Sequence, residues 1–328
     1  PIFAAIGGAI APAVIFGFIN LPDPDAAAGW GIPMATDIAF AIAILAVVGR
    51  HLPTALRSFL LTLAIIDDLC VVVVIAVHYS AGVSGLALAG AIAGLGCFGW
   101  LQHGKGRYAR WIRYLVPQWL LNGPLALIIW ALTHASGVHA TIAAVAMGLL
   151  MRTTVRPGES ASPSHRADRA LRPVSSGIVL PIFALTSAGI GLRGGSEVFG
   201  SPIVWGILLG LVVGKPLGIF ATAWLTSRVT RTPLGGGVRW IDIACIGVLA
   251  GVGFTVALLV AELSYADSQW LLDAKAAILF GSAAAAVPAA ILLGSRSRHY
   301  RRHGPRPSAT PTDTPGIADG DDGSSAVR

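Results

Sequence analysis

The sequence predicts an all-α polytopic membrane protein, and three observations carry that prediction. Hydrophobic residues make up 55% of the 328 positions and charged residues only 12%, about half the usual charged share of a soluble domain. Apolar runs of near-spanning length recur along the whole chain, too many for one globular core. The loops between them alternate between basic and non-basic, as membrane loops do.

Ten runs are expected to form helices: roughly 1–19, 34–49, 56–77, 83–101, 112–133, 137–151, 173–192, 202–226, 240–264 and 271–294. Valine-rich pieces such as VVVVIAV favour a strand in water, but an open strand in a bilayer leaves its amides unpaired, so helix is the better reading. A β-barrel would show short alternating segments, which are absent.

Basic loops hold Arg50 and Arg57; Lys105, Arg107, Arg110 and Arg113; Arg152, Arg156, Arg166, Arg169 and Arg172; Arg228, Arg231 and Arg239; and the tail from Arg296. The intervening loops hold a single base, Arg193, beside Asp23, Asp25, Glu197 and Asp267. The positive-inside rule then places both ends in the cytoplasm, with an even number of spans. The net charge of +7 encodes orientation, and its division among five loops argues against nucleic-acid binding.

A transmembrane domain over 1–294 is expected, with 153–172 as a flexible cytoplasmic connecting loop and 295–328 as a disordered cytoplasmic tail rich in Pro, Ser, Thr, Gly and Asp. Cys70, Cys97 and Cys245 lie inside apolar runs without paired or metal-type spacing and read as small core residues. Pro1 opens directly on what reads as an ordinary span, so a preceding segment is expected.

In this solvent the stretch AIIDDL is anomalous. Asp67 lies ten residues beyond Arg57, about 15 Å into the bilayer at ~1.5 Å per residue. A midplane aspartate costs about 2.5–3.5 kcal/mol on insertion scales, so Asp67 and Asp68 demand a partner or an aqueous cavity. Adjacent helical residues point about 100° apart, so one carboxylate can meet a cation while the other faces a cavity. Two acids so placed repel one another and need a proton or a cation to neutralise them. Lys215, in GLVVGKPLGIF, is the candidate partner, too deep to snorkel. Gly206, Gly210, Gly214 and Gly218 recur every four residues on its helix, a ridge for close helix approach.

Two runs look broken. Pro33 precedes Thr36 and Asp37, which can cap a half-helix and meet the positive end of its dipole. Gly247, Gly251 and Gly253, with Thr255, form a second breakable stretch, with glycine packing on an intact helix as the alternative. The first break falls in the middle of runs one to three and the second in the middle of runs eight to ten. Paired interruptions in two repeated halves point to a midplane ion site between inverted repeats. His139 is a candidate proton relay, although a packed histidine near a helix start is the commoner case. Glu262, Asp242 and Lys275 lie near run ends, where solvation or snorkelling is favoured. Asp273 and Lys275 are not spaced as a helical ion pair.

The motifs PIFAAIGG, IPMATDIAFA, LAIIDDL, SGVHAT, GKPLGI and GVGFT, in this order from Pro1 to about residue 294, resemble those of the NhaA sodium/proton antiporter family, itself a worked example of the inverted-repeat principle. The resemblance implies the family's twelve-helix bundle with crossing interrupted helices, Pro1 aligning with the third. It implies that Asp68 is the principal ion-binding carboxylate, with Asp67 its neighbour and paired with Lys215 in the absence of sodium, and that Thr36 and Asp37 support the crossing. It further implies electrogenic export of sodium or lithium against inward protons, for pH and sodium homeostasis, by a multi-pass protein of the bacterial cytoplasmic (inner) membrane. No cofactor is implied beyond the transported Na+, Li+ and H+, and hard oxygen ligands suit sodium. The partners implied are membrane lipids and, in a full-length protein, a second copy in a homodimer. The family's first two helices, its dimer hairpin and an acid they supply have no counterpart here. Arg172 precedes Pro173 where relatives often have His, so pH control is expected to differ.

The rival readings are a sodium-coupled transporter of another substrate, such as an organic anion, a membrane aspartyl enzyme, and a non-transporting scaffold. An aspartyl protease needs acids on two helices and a diphosphate site needs a second acid cluster. DDLCV supplies neither, and Lys215 has no role in either.

Overall fold

The computed structural model describes residues 1–79, 82–104, 118–156, 159–187, 189, 197–231, 234–235, 237–265 and 269–304. Regular structure among them is helical throughout. Six helical stretches are long and apolar enough to cross a membrane: Ile2–Ile19, Thr54–His78, Gly85–His103, Pro163–Ser187, Pro202–Thr230 and Gln269–His303. Two bent pairs, Pro24–Met34 with Ile38–Val48 and Trp240–Ala250 with Phe254–Ser264, add two more. The shorter apolar helices Gln118–Ala135 and Thr141–Leu150 complete the set, and parts of the expected runs 112–133 and 173–192 lie outside the described residues. Lys105, Arg107, Arg110, Arg113, Arg193 and Asp267, together with the tail from residue 305, lie outside the described residues.

Helices are labelled in chain order: α1 (Ile2–Ile19), α2 (Pro24–Ala27), α3 (Ile38–Val48), α4 (Thr54–His78), α5 (Gly85–His103), α6 (Gln118–Ala135) and α7 (Thr141–Leu150) come first. They are followed by α8 (Pro163–Val174), α9 (Leu180–Ser187), α10 (Pro202–Leu209), α11 (Lys215–Thr230), α12 (Trp240–Ala250), α13 (Phe254–Ser264) and α14 (Gln269–His303). A tight 3-10 segment, Ala28–Met34, continues α2 towards the first break.

Packing inverts the soluble pattern. Phe18, Val77, Leu86, Trp119, Leu149 and Leu185 are exposed, whereas Asp67, Lys215 and Asp242 are buried. That distribution suits a chain whose outer surface meets hydrocarbon and whose polar groups satisfy one another inside.

The glycine ridge is a slot for α1. A Cβ on Gly218 would stand 2.2 Å from the carbonyl oxygen of Gly7, and one on Gly7 would stand 2.2 Å from Thr222 Cγ2. Gly214 meets Pro12 in the same way, and Gly210 meets Pro33 of the first broken span. Backbones therefore touch where side chains would hold them apart, which is how small residues drive helix association in lipid. Between α10 and α11 the helix widens into a π turn, Gly210–Gly214. Pro216 accounts for it: proline has no amide for the Val212 carbonyl, and its ring crowds that carbonyl. The distortion falls immediately before Lys215.

Four expectations are corrected. The connecting segment 153–172 is not an unstructured link: α8 begins at Pro163, capped by Ser162, whose hydroxyl accepts from the His165 amide at 3.3 Å. Upstream, Arg152 grips Glu159 through one nitrogen at 2.6 and 2.8 Å and also donates to the Thr154 carbonyl. The tail does not become irregular at Ser295, because α14 runs on to His303 with Ser297 and Tyr300 buried. Asp242 does not reach solvent. It is fully buried, accepting from Arg296 Nε at 2.7 Å, the Tyr300 hydroxyl at 2.6 Å and the Arg239 amide at 2.8 Å. Of the three cysteines only Cys245 is buried; Cys70 is half-buried and Cys97 faces outward.

Candidate ion-binding site

The site begins with a helix that is not interrupted. α4 carries Asp67 and Asp68 near its middle, and the run of Leu, Ile and Val around them leaves no local polar partner. Asp67 turns inward and is completely buried. Its Oδ2 lies 2.7 Å from Lys215 Nζ and accepts from the Thr36 hydroxyl at 2.6 Å. Lys215, also 0% exposed, donates in addition to the Met34 carbonyl.

Thr36 and Asp37 sit in the break of the first bent span, and each binds the second. The Thr36 hydroxyl lies 3.0 Å from the Ala250 carbonyl at the end of α12. The Asp37 amide donates to the Val252 carbonyl at 2.6 Å. Asp37 Oδ1 accepts from the Phe40 amide at 3.0 Å, capping α3. Its Oδ2 accepts from the Thr255 amide at 3.1 Å and from the Thr255 hydroxyl at 2.8 Å, in the first turn of α13. One carboxylate thus meets the positive ends of two half-helices.

The glycine break is therefore an unwound crossing, and the alternative of packing on an intact helix is set aside. A Cβ on Gly251 would lie 2.4 Å from the Leu211 carbonyl oxygen, and one on Gly253 would lie 3.1 Å from the Ala35 carbonyl oxygen. Gly251 must be glycine because another backbone crosses there, and at Gly253 a side chain would be tight. The spans bend by 40° and 46° at their breaks.

Charge accounting isolates one residue. Asp37 is held by two helix N-termini and Asp67 by Lys215, whereas Asp68 forms no ion pair among the described residues. The Oδ1 atoms of Asp67 and Asp68 are buried and have no hydrogen-bond partner among the described residues. Two unsatisfied carboxylate oxygens on adjacent residues, one negative charge in excess, mark a place for a small cation or a proton.

Of the residues expected from sequence, Asp67, Lys215, Thr36, Asp37, Gly251, Gly253 and Thr255 converge here, with Asp68 beside them on α4. His139 lies in the turn before α7, where its Nδ1 is 2.9 Å from Thr141 Oγ1. No described hydrogen bond joins it to either aspartate. Sequence reasoning missed the carbonyls of Met34, Ala250 and Val252. The Pro33 and Gly251 breaks announce that carbonyls come free, but not which ones.

Two broken spans crossing beside a buried Asp–Lys pair and an unpaired aspartate define an ion-coupled secondary transporter. The chain belongs to the Na+/H+ antiporter 1 family, whose family model matches residues 1–293. It is similar to a protein named Na(+)/H(+) antiporter NhaA from Thermobifida fusca, 54% identical over 304 residues, which are 92% of this chain and 73% of the relative. Na(+)/H(+) antiporter NhaA 1/4 from Streptomyces coelicolor is 56% identical over 283 residues, or 86% of this chain and 69% of the relative. A Streptomyces antibioticus NhaA antiporter is 47% identical over 304 residues, 92% of this chain and 61% of the relative.

Proposed function

We propose that the chain exchanges sodium or lithium from the cytoplasm for protons from outside, using Asp68 and Asp67 as ligands, in the cytoplasmic membrane of a bacterium. The observation that carries this reading is the charge imbalance: Asp68 forms no ion pair among the described residues, while Asp67 is held by Lys215. Proton loss from Asp68 creates the anionic site. A sodium ion entering beside it draws on the free Oδ1 of Asp67 as well. Asp67 then turns from Lys215, and the ammonium, left without its counter-charge in a low-dielectric interior, releases a proton. Two protons leave as one monovalent cation binds, so the cycle is electrogenic. Binding of either species excludes the other, and the two fluxes are coupled for that reason.

Orientation follows from the basic loops at Arg50, Arg152, Arg228 and Arg239, which lie on the cytoplasmic side together with the end of α14. Lipid covers the exposed apolar faces, and the protein pairs with a second copy as a homodimer. The test is sodium- or lithium-induced collapse of a preformed proton gradient in everted vesicles. Asp68→Asn should abolish the response at every pH at which the unmodified protein gives one. An unmodified protein that never collapses the gradient would sink the proposal.

A further inference from the structure

The elements that build the ion site meet a second time, at their other ends. Tyr79, one residue past α4, donates its hydroxyl to the Ala28 carbonyl at 3.0 Å and lies 2.8 Å from Ser264 Oγ. Ala28 begins the 3-10 segment of the first broken span, and Ser264 ends α13 of the second. Beside them the Tyr265 hydroxyl donates to the Ala26 carbonyl. Gly29 is where this closure is tightest: a Cβ there would stand 2.2 Å from the Tyr265 hydroxyl oxygen. Trp30 adds an edge contact to His78, with ring centroids 5.6 Å apart.

Tyr79 stands twelve residues beyond Asp67, about 18 Å along the helix. The interval is filled by Ile32, Val71, Ile75, Leu258 and Ala261, all buried in one cluster. A hydrated ion does not cross such a plug. The loop at this end carries Asp23 and Asp25 and no base, so on the orientation proposed above it is the extracytoplasmic end.

We propose that Tyr79 and Tyr265, with Ser264 as the hydroxyl partner of Tyr79, are a hydroxyl latch that closes the extracytoplasmic side of the ion site and opens in each transport cycle. Tyr79 ties the end of α4, which carries the ion-binding carboxylates, to both broken spans through the Ala28 carbonyl and Ser264, and Tyr265 ties the second broken span to the first through the Ala26 carbonyl. The two Tyr79 bonds are part-buried at helix ends, where water can replace them, and the buried Tyr265–Ala26 bond meets water once that end opens. The apolar cluster beneath parts only if α4 moves away from α13, and Tyr79 spans that seam.

The test uses a chain with Cys70, Cys97 and Cys245 replaced by alanine or serine that remains monodisperse in detergent. An Ala261→Cys thiol below the latch should react slowly with an impermeant maleimide added from the acidic-loop side. Tyr79→Phe with Ser264→Ala should speed that reaction about tenfold, the population shift expected from removing one or two hydrogen bonds. Equal rates with and without the latch would overturn the proposal. In a second arm, Tyr79→Cys and Ser264→Cys are bridged by a short bis-methanethiosulfonate reagent. Exchange should stop and return on reduction, and exchange that continues through the bridge would also overturn it. The inference rests on the antiport reading, but labelling needs no transport. A chain that labels as expected yet moves no protons when sodium is added refutes antiport and leaves the latch standing.

Discussion

Asp37 and Thr255, separated by 218 positions in sequence, are joined twice: the Asp37 carboxylate accepts from both the amide and the hydroxyl of Thr255. The same carboxylate caps α3 through Phe40. The crossing of the two broken spans is therefore fastened by one acidic side chain serving two helix N-termini.

Loss of that fastening should be measurable as stability. Asp37→Ala is expected to cost more than a single cap, which is about 1–2 kcal/mol, and Thr255→Val less. In thermal unfolding in detergent the double variant should fall short of the sum of the singles by at least ~0.5 kcal/mol, the signature of residues in contact. Strict additivity would show that the two act separately.

The Lys215–Asp67 pair should behave as a buried pair rather than a surface one. Removing either partner alone leaves an uncompensated charge in the bundle and should destabilise by about 3–5 kcal/mol. Replacing both at once, Asp67→Asn with Lys215→Gln, should recover most of that loss. A double variant as unstable as the singles would assign the cost to packing instead.

At the start of α12 the decisive residue is Asp242, which binds Arg296 and Tyr300 from the extension of α14. Arg296→Met should destabilise by about 3–5 kcal/mol because it strands a buried carboxylate. Truncation after Ser295 should do the same, while truncation after Gly304 should leave the melting temperature unchanged. Equal melting temperatures for both truncations would return the tail boundary to Ser295.

The Arg152–Glu159 clamp predicts a pH effect confined to acid. The hydrogen bonds from Arg152 hold the Glu159 carboxyl below the ordinary glutamate value of 4.5. Because the folded value is the lower one, the clamp is complete above about pH 4.5 and is lost as pH falls through the folded value. Protease cleavage between Arg152 and Ser162 should therefore stay low at neutral pH and rise below that threshold. Glu159→Gln should raise it at neutral pH, and cleavage insensitive to both changes would remove the clamp.

Much of this protein was decided locally. Hydrocarbon length, the scarcity of charge and the alternation of basic loops determined an all-helical fold, because a lipid solvent leaves the backbone no other way to satisfy its amides. The same solvent made Asp67, Asp68 and Lys215 conspicuous, and the Pro33 and Gly251 breaks announced the crossing. Only the tertiary structure decided that Asp37 serves both half-helices and that Asp242 is buried under Tyr300. Those outcomes depend on which face each helix turns to its neighbours, and on carbonyls freed where helices unwind. A side chain's cost in lipid can be read from one helix, but its partner is set by another backbone hundreds of residues away.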